Sequence, residues 1–192
     1  MSTALLELDR RLGHVFENFH PAYRYLSVAS FGSPKLDPYS LFHLNSIYHF
    51  SACALHSSII PLFSNTPSGQ QVPRKLLRIS AEEAERHSAI TLDMATAFLS
   101  TRPDISRLPS ITGFAMFVAS TIHFKSLVAQ RKLQTYGVGK LKAALSILER
   151  LKDHWRHLND LVNNSAASQL LSGLIISVVS TRITLFIGRP KH

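Results

Sequence analysis

Residues 41–64, LFHLNSIYHFSACALHSSIIPLFS, decide the fold of this chain. Apolar side chains recur there every three or four residues, which is the spacing of one face of an α-helix. They are Leu41, Leu44, Ile47, Tyr48, Cys53, Leu55 and Ile59. Asp37 followed by Pro38 supplies an N-cap and a proline at the first helical position. We therefore expect a helix that begins at Pro38 and ends near Pro61, since proline cannot extend it.

Four further segments show the same helical period. They cover residues 5–19, about 74–100, about 109–135 and 141–161. No segment alternates convincingly with period two, as a half-buried strand would. The sequence thus predicts an all-α fold, a bundle of about five to six packed helices that forms one domain over residues 1–165.

The apolar C-terminal tail, residues 166–192, differs in kind. Residues 170–187, LLSGLIISVVSTRITLFI, are apolar and rich in β-branched side chains. A stretch of that length is at the lower edge of a membrane span, and Arg182 would cost about 2.5–3.5 kcal/mol near its middle. We favour a buried terminal segment or a poorly folded stub, and a membrane tail anchor is the alternative.

Positive charge is concentrated in the second half of the chain. The 21 basic and 12 acidic residues give a net charge of +9. Residues 1–100 hold eight of each, so residues 101–192 carry the whole excess. A basic protein raises the question of a nucleic-acid partner. However, the charges are spaced out and no aromatic stripe lies between them, which favours a solvated basic surface. Its members are Lys125, Arg131, Lys132, Lys140, Lys142, Arg150, Lys152 and Arg156.

Composition excludes several other classes. With 45% hydrophobic and 17% charged residues, the chain is unlike a disordered tail. Its single cysteine, Cys53, excludes an intrachain disulfide and a multi-cysteine zinc or iron–sulfur site. The first residues carry charges and lack the apolar core of a signal peptide. We expect a cytosolic or nuclear protein in which Cys53 is reduced.

One constellation has the spacing of metal ligands. His49, Cys53 and His56 fall at i, i+4 and i+7 and share a helix face, where they could bind zinc. We favour simple packing, with Cys53 acting as a small hydrophobe. The sequence shows no nucleophile elbow, phosphate-binding loop or carboxylate pair with acid and base roles. We therefore predict no enzyme, no catalytic residues and no cofactor.

Several helices together resemble a known family. The segment 41–64 carries Tyr48-His49, Leu55-His56 and Ile60-Pro61-Leu62, and it is followed by the AEEA stretch at 81–84 and by GFAMFVASTIHFKSL at 113–127. The chain resembles, over roughly residues 3–162, the C-terminal half of the regulatory (middle homology) region of fungal-specific transcription factors of the zinc binuclear-cluster class. Ser57-Ser58 stands where that family often has Arg-Pro, and the apolar tail does not look like the family's continuation.

The resemblance implies a regulatory domain that acts in the nucleus on RNA polymerase II transcription. Its partners would be proteins of the transcription machinery or a regulator, and a small-molecule effector. The family reads DNA through a six-cysteine zinc cluster, which a chain with one cysteine cannot form, so no residue here is expected to recognise bases. The residues expected to line an effector pocket are Tyr48, His49, His56, Phe114, Phe117 and His123.

Overall fold

Five α-helices make up the structure, a computed structural model that describes residues 2–25, 31, 36–61, 72–130, 138–155 and 158. Two short 3₁₀ turns, Pro21–Tyr23 and Ile105–Arg107, lie between them. The described residues contain no strand, so the predicted all-α fold is confirmed. The apolar tail lies outside the described residues. The helices are α1 (Ser2–Glu17), α2 (Pro38–Ser57), α3 (Arg74–Ser100), α4 (Ser110–Ala129) and α5 (Val138–Leu151).

Helix α2 begins as its sequence predicts. The Asp37 carboxylate accepts a hydrogen bond from the Ser40 backbone N–H at 2.9 Å, and Pro38 occupies the first turn. The same carboxylate accepts from the Ser40 hydroxyl, and these bonds hold the pKa of Asp37 below its ordinary value. An ionised cap also interacts favourably with the helix dipole. The helix ends at Ser57, one turn before Pro61.

The core lies where α2, α3 and α4 pack against one another, with α5 closing it against α3 and α4. At its centre Phe42 of α2 stacks on Phe98 of α3, with ring centroids 4.3 Å apart and planes 4° from parallel. Both rings are fully buried, and the Phe31 ring packs against them at interplanar angles of 58° and 54°. Burial of each such side chain stabilises the fold by about 1.5–3 kcal/mol. This aromatic stack therefore fixes the position of α2 on α3.

Helix α1 contacts the bundle along a narrow stripe. Leu5 is buried, and Phe16 lies on the same side of the helix and packs against α2. Leu8 and Val15 belong to the helical period of apolar residues in segment 5–19, which predicts that they are buried, but each is 53% exposed. They project about 70–90° around the helix from the Leu5–Phe16 line at 3.6 residues per turn. That part of the prediction is wrong because α1 packs onto α2 from one side only.

Helix α4 is the most apolar of the described helices. Its length and composition would allow it to cross a membrane, but half of its most apolar window is buried inside the bundle. Its buried side includes Gly113, Met116 and Ile122, and these face the other helices. An apolar helix of this kind is what the centre of a helical domain requires.

The predicted fifth helix is interrupted after Leu151 by a turn at residues 152–154, and Leu158 is again helical. Helix α5 ends at Leu151, ten residues before the predicted end at 161. Trp155 lies beyond it and its indole N–H donates to the Leu108 carbonyl at 3.3 Å. Leu158 is fully buried beside Gly113 of α4. The helix ends early because these two side chains reach the start of α4 only when the chain turns away from the helix axis.

We predict that Gly113→Ala destabilises the protein. A Cβ at residue 113 would lie 2.5 Å from Cδ1 and 3.3 Å from Cγ of Leu158, so the buried leucine would have to move. Overpacking of this kind costs about 1–3 kcal/mol, measurable by urea unfolding. Gly13→Ala is the control, because nothing lies within 4 Å of that position in α1, and alanine there should stabilise by up to about 1 kcal/mol. Equal stability of Gly113→Ala and the parent would contradict this packing.

Candidate functional site

Polar side chains line the contact between α2 and α3. His49, His56 and His87 are less than 5% exposed, although histidine is seldom buried so completely. Because the two helices run antiparallel, residues of α2 pair with residues of α3 in descending order. His49 meets His87, Cys53 meets the Ala84 carbonyl and His56 meets Ser80. We call these six residues the histidine seam.

His49 and His87 form a hydrogen bond between their Nδ1 atoms. Nδ1 of His49 lies 2.7 Å from Nδ1 of His87, so one of them must donate and the other accept. Arg86 donates to Nε2 of His87 at 2.8 Å, which makes that nitrogen an acceptor. Neutral His87 therefore carries its hydrogen on Nδ1 and donates it to His49. Arg86 is itself held by Glu83 at 2.6 Å, so an exposed ion pair sets the tautomer of a buried pair.

Burial keeps this pair uncharged at neutral pH. Desolvation lowers the pKa of His49 to about 3, and the nearby His87 and Arg86 act in the same direction. Desolvation likewise lowers the pKa of His87 to about 4, with Glu83 opposing the shift. A second proton would place a cation in an apolar interior beside a guanidinium. The pair is thus a hydrogen-bonded structural element at pH 7.

Helix α1 covers the histidine seam from one side. The Phe16 ring stacks on Tyr48 with centroids 4.0 Å apart, and Tyr48 contacts both His49 and His87 edge-on. One end of the seam is closed by Asp9, whose carboxylate lies 3.2 Å from Nε2 of His56. Two side chains of α1 therefore separate the buried histidines from solvent.

The predicted zinc ligands share a face of α2, but each has a different neighbour. His49 bonds His87, Cys53 bonds a carbonyl of α3, and His56 lies between Asp9 and Ser80. Burial raises the pKa of the Cys53 thiol to about 12, which disfavours the thiolate that zinc requires. Within the described ranges, no three His, Cys, Asp or Glu side chains come close enough to hold a metal ion. The structure therefore does not assemble a metal site from these three.

The six residues predicted to line an effector pocket are divided among different places. Tyr48, His49 and His56 belong to the seam region, where their contacts fill the space between helices. Phe114 and Phe117 are partly buried against the main core. His123 is buried in α4, and its Nδ1 has no hydrogen-bond partner among the described residues. The six residues therefore lie in three different parts of the bundle.

Sequence reasoning missed a groove between α3 and α4. It has a volume of about 260 Å³, and Ile60, three residues beyond the end of α2, also lines it. Its walls contain small or apolar residues at Ala81 and Ala129, and its rim contains Glu85 and Gln130. The signal in the sequence was the pair of alanines on facing helices, which leave space that larger side chains would fill. That space can be recognised only when the two helices are placed side by side.

The predicted basic surface is partly neutralised. Lys140 forms an ion pair with Asp93 at 2.8 Å, Lys152 pairs with Glu149, and Arg150 donates to the Pro103 carbonyl. Lys142 is exposed, and Lys125 is half-buried in α4. Arg131, Lys132 and Arg156 lie outside the described residues. A charge that is already paired contributes less to binding phosphates, so the described members form a weaker basic surface than the sequence suggests.

Comparison with known proteins adds no relative. No protein-family model, no curated protein and no solved structure matches this chain. The likeness to fungal regulators therefore rests on the helix pattern described above.

We predict that acid weakens the fold through the histidine pair. The folded-state pKa values of His49 and His87 lie below the unfolded value of about 6.5. The unfolded chain therefore binds more protons between pH 6.5 and pH 4, and stability falls as pH falls. Within that pH window, each histidine lowers the free energy of unfolding by up to about 1.4 kcal/mol for each unit by which the pH falls. Urea unfolding at pH 7 and pH 5 measures the loss, and the double variant H49F/H87F should lose less. If the stability of H49F/H87F depended on pH as steeply as that of the parent, the prediction would be refuted.

We further predict that His49→Phe is more disruptive than its size suggests. The phenyl ring fits a similar volume but leaves Nδ1–H of His87 without its acceptor. An unsatisfied buried donor costs about 1–3 kcal/mol. Tyr48→Phe is the matched control, because it removes only a hydroxyl and keeps the ring stacked on Phe16. Thermal unfolding should show a clear loss for His49→Phe and little change for Tyr48→Phe, whereas equal effects would argue against the bond.

Proposed function

We propose that this chain is a regulatory and interaction domain of a fungal transcription factor that controls RNA polymerase II transcription in the nucleus. The observation that supports this is the helix order. The three helices that carry the resemblance, α2, α3 and α4, form one packed unit with α2 and α3 antiparallel. The resemblance requires these helices to be packing elements, and the buried residues on each agree with that role.

The proposed mechanism is a shift between two arrangements of the bundle. An effector or partner can shift such an equilibrium only if it binds one arrangement better than the other. Helix α1 is best suited to move, because it is held along one stripe by Leu5, Asp9 and Phe16. Its release would uncover the histidine seam and change the surface offered to a partner. The partners would be proteins of the transcription machinery or a regulator.

DNA binding by this chain alone is not part of the proposal. The 192 residues hold one cysteine, which is buried and bonded to α3. A six-cysteine cluster cannot form from it, and three of the described basic side chains, Lys140, Arg150 and Lys152, have partners within the protein. In the proposed function, as the family resemblance implies, sequence recognition would come from a separate zinc-cluster module, with this domain supplying regulation.

The test is a reporter assay in a fungal host with the full chain fused to a heterologous DNA-binding domain. We expect the fusion to enter the nucleus and to change reporter transcription relative to the DNA-binding domain alone. Phe16→Ala, which removes the stack on Tyr48, should alter that output. His14→Ala is the control on the exposed side of α1.

Reporter output equal to that of the DNA-binding domain alone would refute the proposal. So would a membrane location of the tagged chain that is lost when residues 166–192 are deleted, since that outcome supports the tail-anchor alternative. Immunoblotting must show equal amounts of each fusion. Circular dichroism of the purified Phe16→Ala chain distinguishes a loosened α1 from a general loss of helix.

A further inference from the structure

The groove between α3 and α4 has an apolar floor that belongs to the core. Ile60 and Ile122 form part of its surface and also pack with Cys53 and Ala84 in a small buried cluster. The floor therefore packs directly on the histidine seam, to which Cys53 and Ala84 belong. We call this feature the α3/α4 groove. It is lined by Ile60, Arg78, Ala81, Glu82, Glu85, Ile122, Ser126, Ala129 and Gln130.

Three oxygen acceptors meet at one end of the α3/α4 groove. Nε2 of Gln130 lies 2.9 and 2.8 Å from the two carboxylate oxygens of Glu85 and 3.2 Å from the hydroxyl oxygen of Ser126. An amide nitrogen carries two hydrogens, so it cannot satisfy three acceptors fully. A primary ammonium carries three hydrogens and a positive charge. It would match these oxygens in number and form stronger, charge-assisted bonds to the carboxylate.

The charge of the groove favours a cation. Glu82 is paired with Arg78 at 2.9 Å, whereas Glu85 takes part in no ion pair among the described residues. Its hydrogen-bond donor across the groove is the neutral amide of Gln130. Among the described residues, the groove therefore has one carboxylate, that of Glu85, without an ion-pair partner, next to an apolar floor.

We infer that the α3/α4 groove binds a small primary amine with an apolar body. Its ammonium replaces the Gln130 amide on Glu85 and Ser126, and its body lies on Ile60 and Ile122. The volume of about 260 Å³ is below the range of drug-sized sites, so the ligand is small. This site does not depend on the proposed transcriptional role, because binding to the purified chain measures the groove alone.

The experiment titrates the full chain with three probes that share one body: phenylbutylamine, phenylbutanol and phenylbutanoate. Binding is followed by NMR chemical shifts of the groove residues. We expect the amine to bind about tenfold or more tightly than the alcohol, because the alcohol cannot form a charged hydrogen bond to Glu85. We expect the carboxylate not to bind. Comparable binding of amine and alcohol would overturn the inference, because the groove would then be an apolar docking surface only.

Substitutions inside and outside the α3/α4 groove test whether the amine binds there. Glu85→Gln keeps the side-chain shape and removes the charge, so the amine should bind about tenfold more weakly. Ala81→Phe places a ring in the groove from an exposed position and should abolish binding. Glu149→Gln is the control, since it removes one negative charge on α5 and leaves the groove intact. Absence of amine binding, or equal binding by Glu85→Gln and Glu149→Gln, would overturn the inference.

Discussion

The packing of α2 against α3 depends on satisfying polar groups where water does not reach. The histidine seam replaces the usual apolar ridge of a helix pair, and each of its members needs a partner in a defined position. A leucine in a core tolerates small shifts, but a donor and an acceptor at 2.7 Å do not. The seam therefore fixes both the register and the spacing of the two helices. The apolar stack of Phe42 on Phe98 supplies burial at the other end of the same interface.

That constraint extends to the surface in two directions. Towards α1, the seam is completed by Asp9 and by the ring of Phe16 on Tyr48. Towards α4, Cys53 and Ala84 support the floor of the α3/α4 groove. A change in the position of α1 and occupation of the groove would thus act on the same helix pair from opposite sides. This gives the domain a physical route by which a ligand could influence a partner surface.

The helices could be predicted from the sequence because their signals are local. Asp37-Pro38 set the start of α2, and α3 was predicted over the residues that form it. The helix ends that were predicted wrongly depend on contacts between residues distant in sequence, such as the hydrogen bond from Trp155 to Leu108 beyond the end of α5.

The candidate site was harder to predict from the sequence than the helices. His49 and His56 were singled out, but their partner His87 lies on another helix, and nothing in its own neighbourhood of sequence pairs it with α2. The groove depends on empty space between two helices, and Ala81 and Ala129 indicate that space only when α3 and α4 are placed side by side.

The burial of Leu158 against Gly113 also bears on how the chain is made. On the ribosome, α4 emerges well before residue 158, so its notch at Gly113 stays empty while the following helix is synthesised. A nascent chain at that stage holds an apolar helix whose packing is unfinished, which is the kind of surface that chaperones bind. Covering this part of α4 then requires a single leucine to emerge, and any process that halts synthesis before Leu158 leaves Gly113 uncovered.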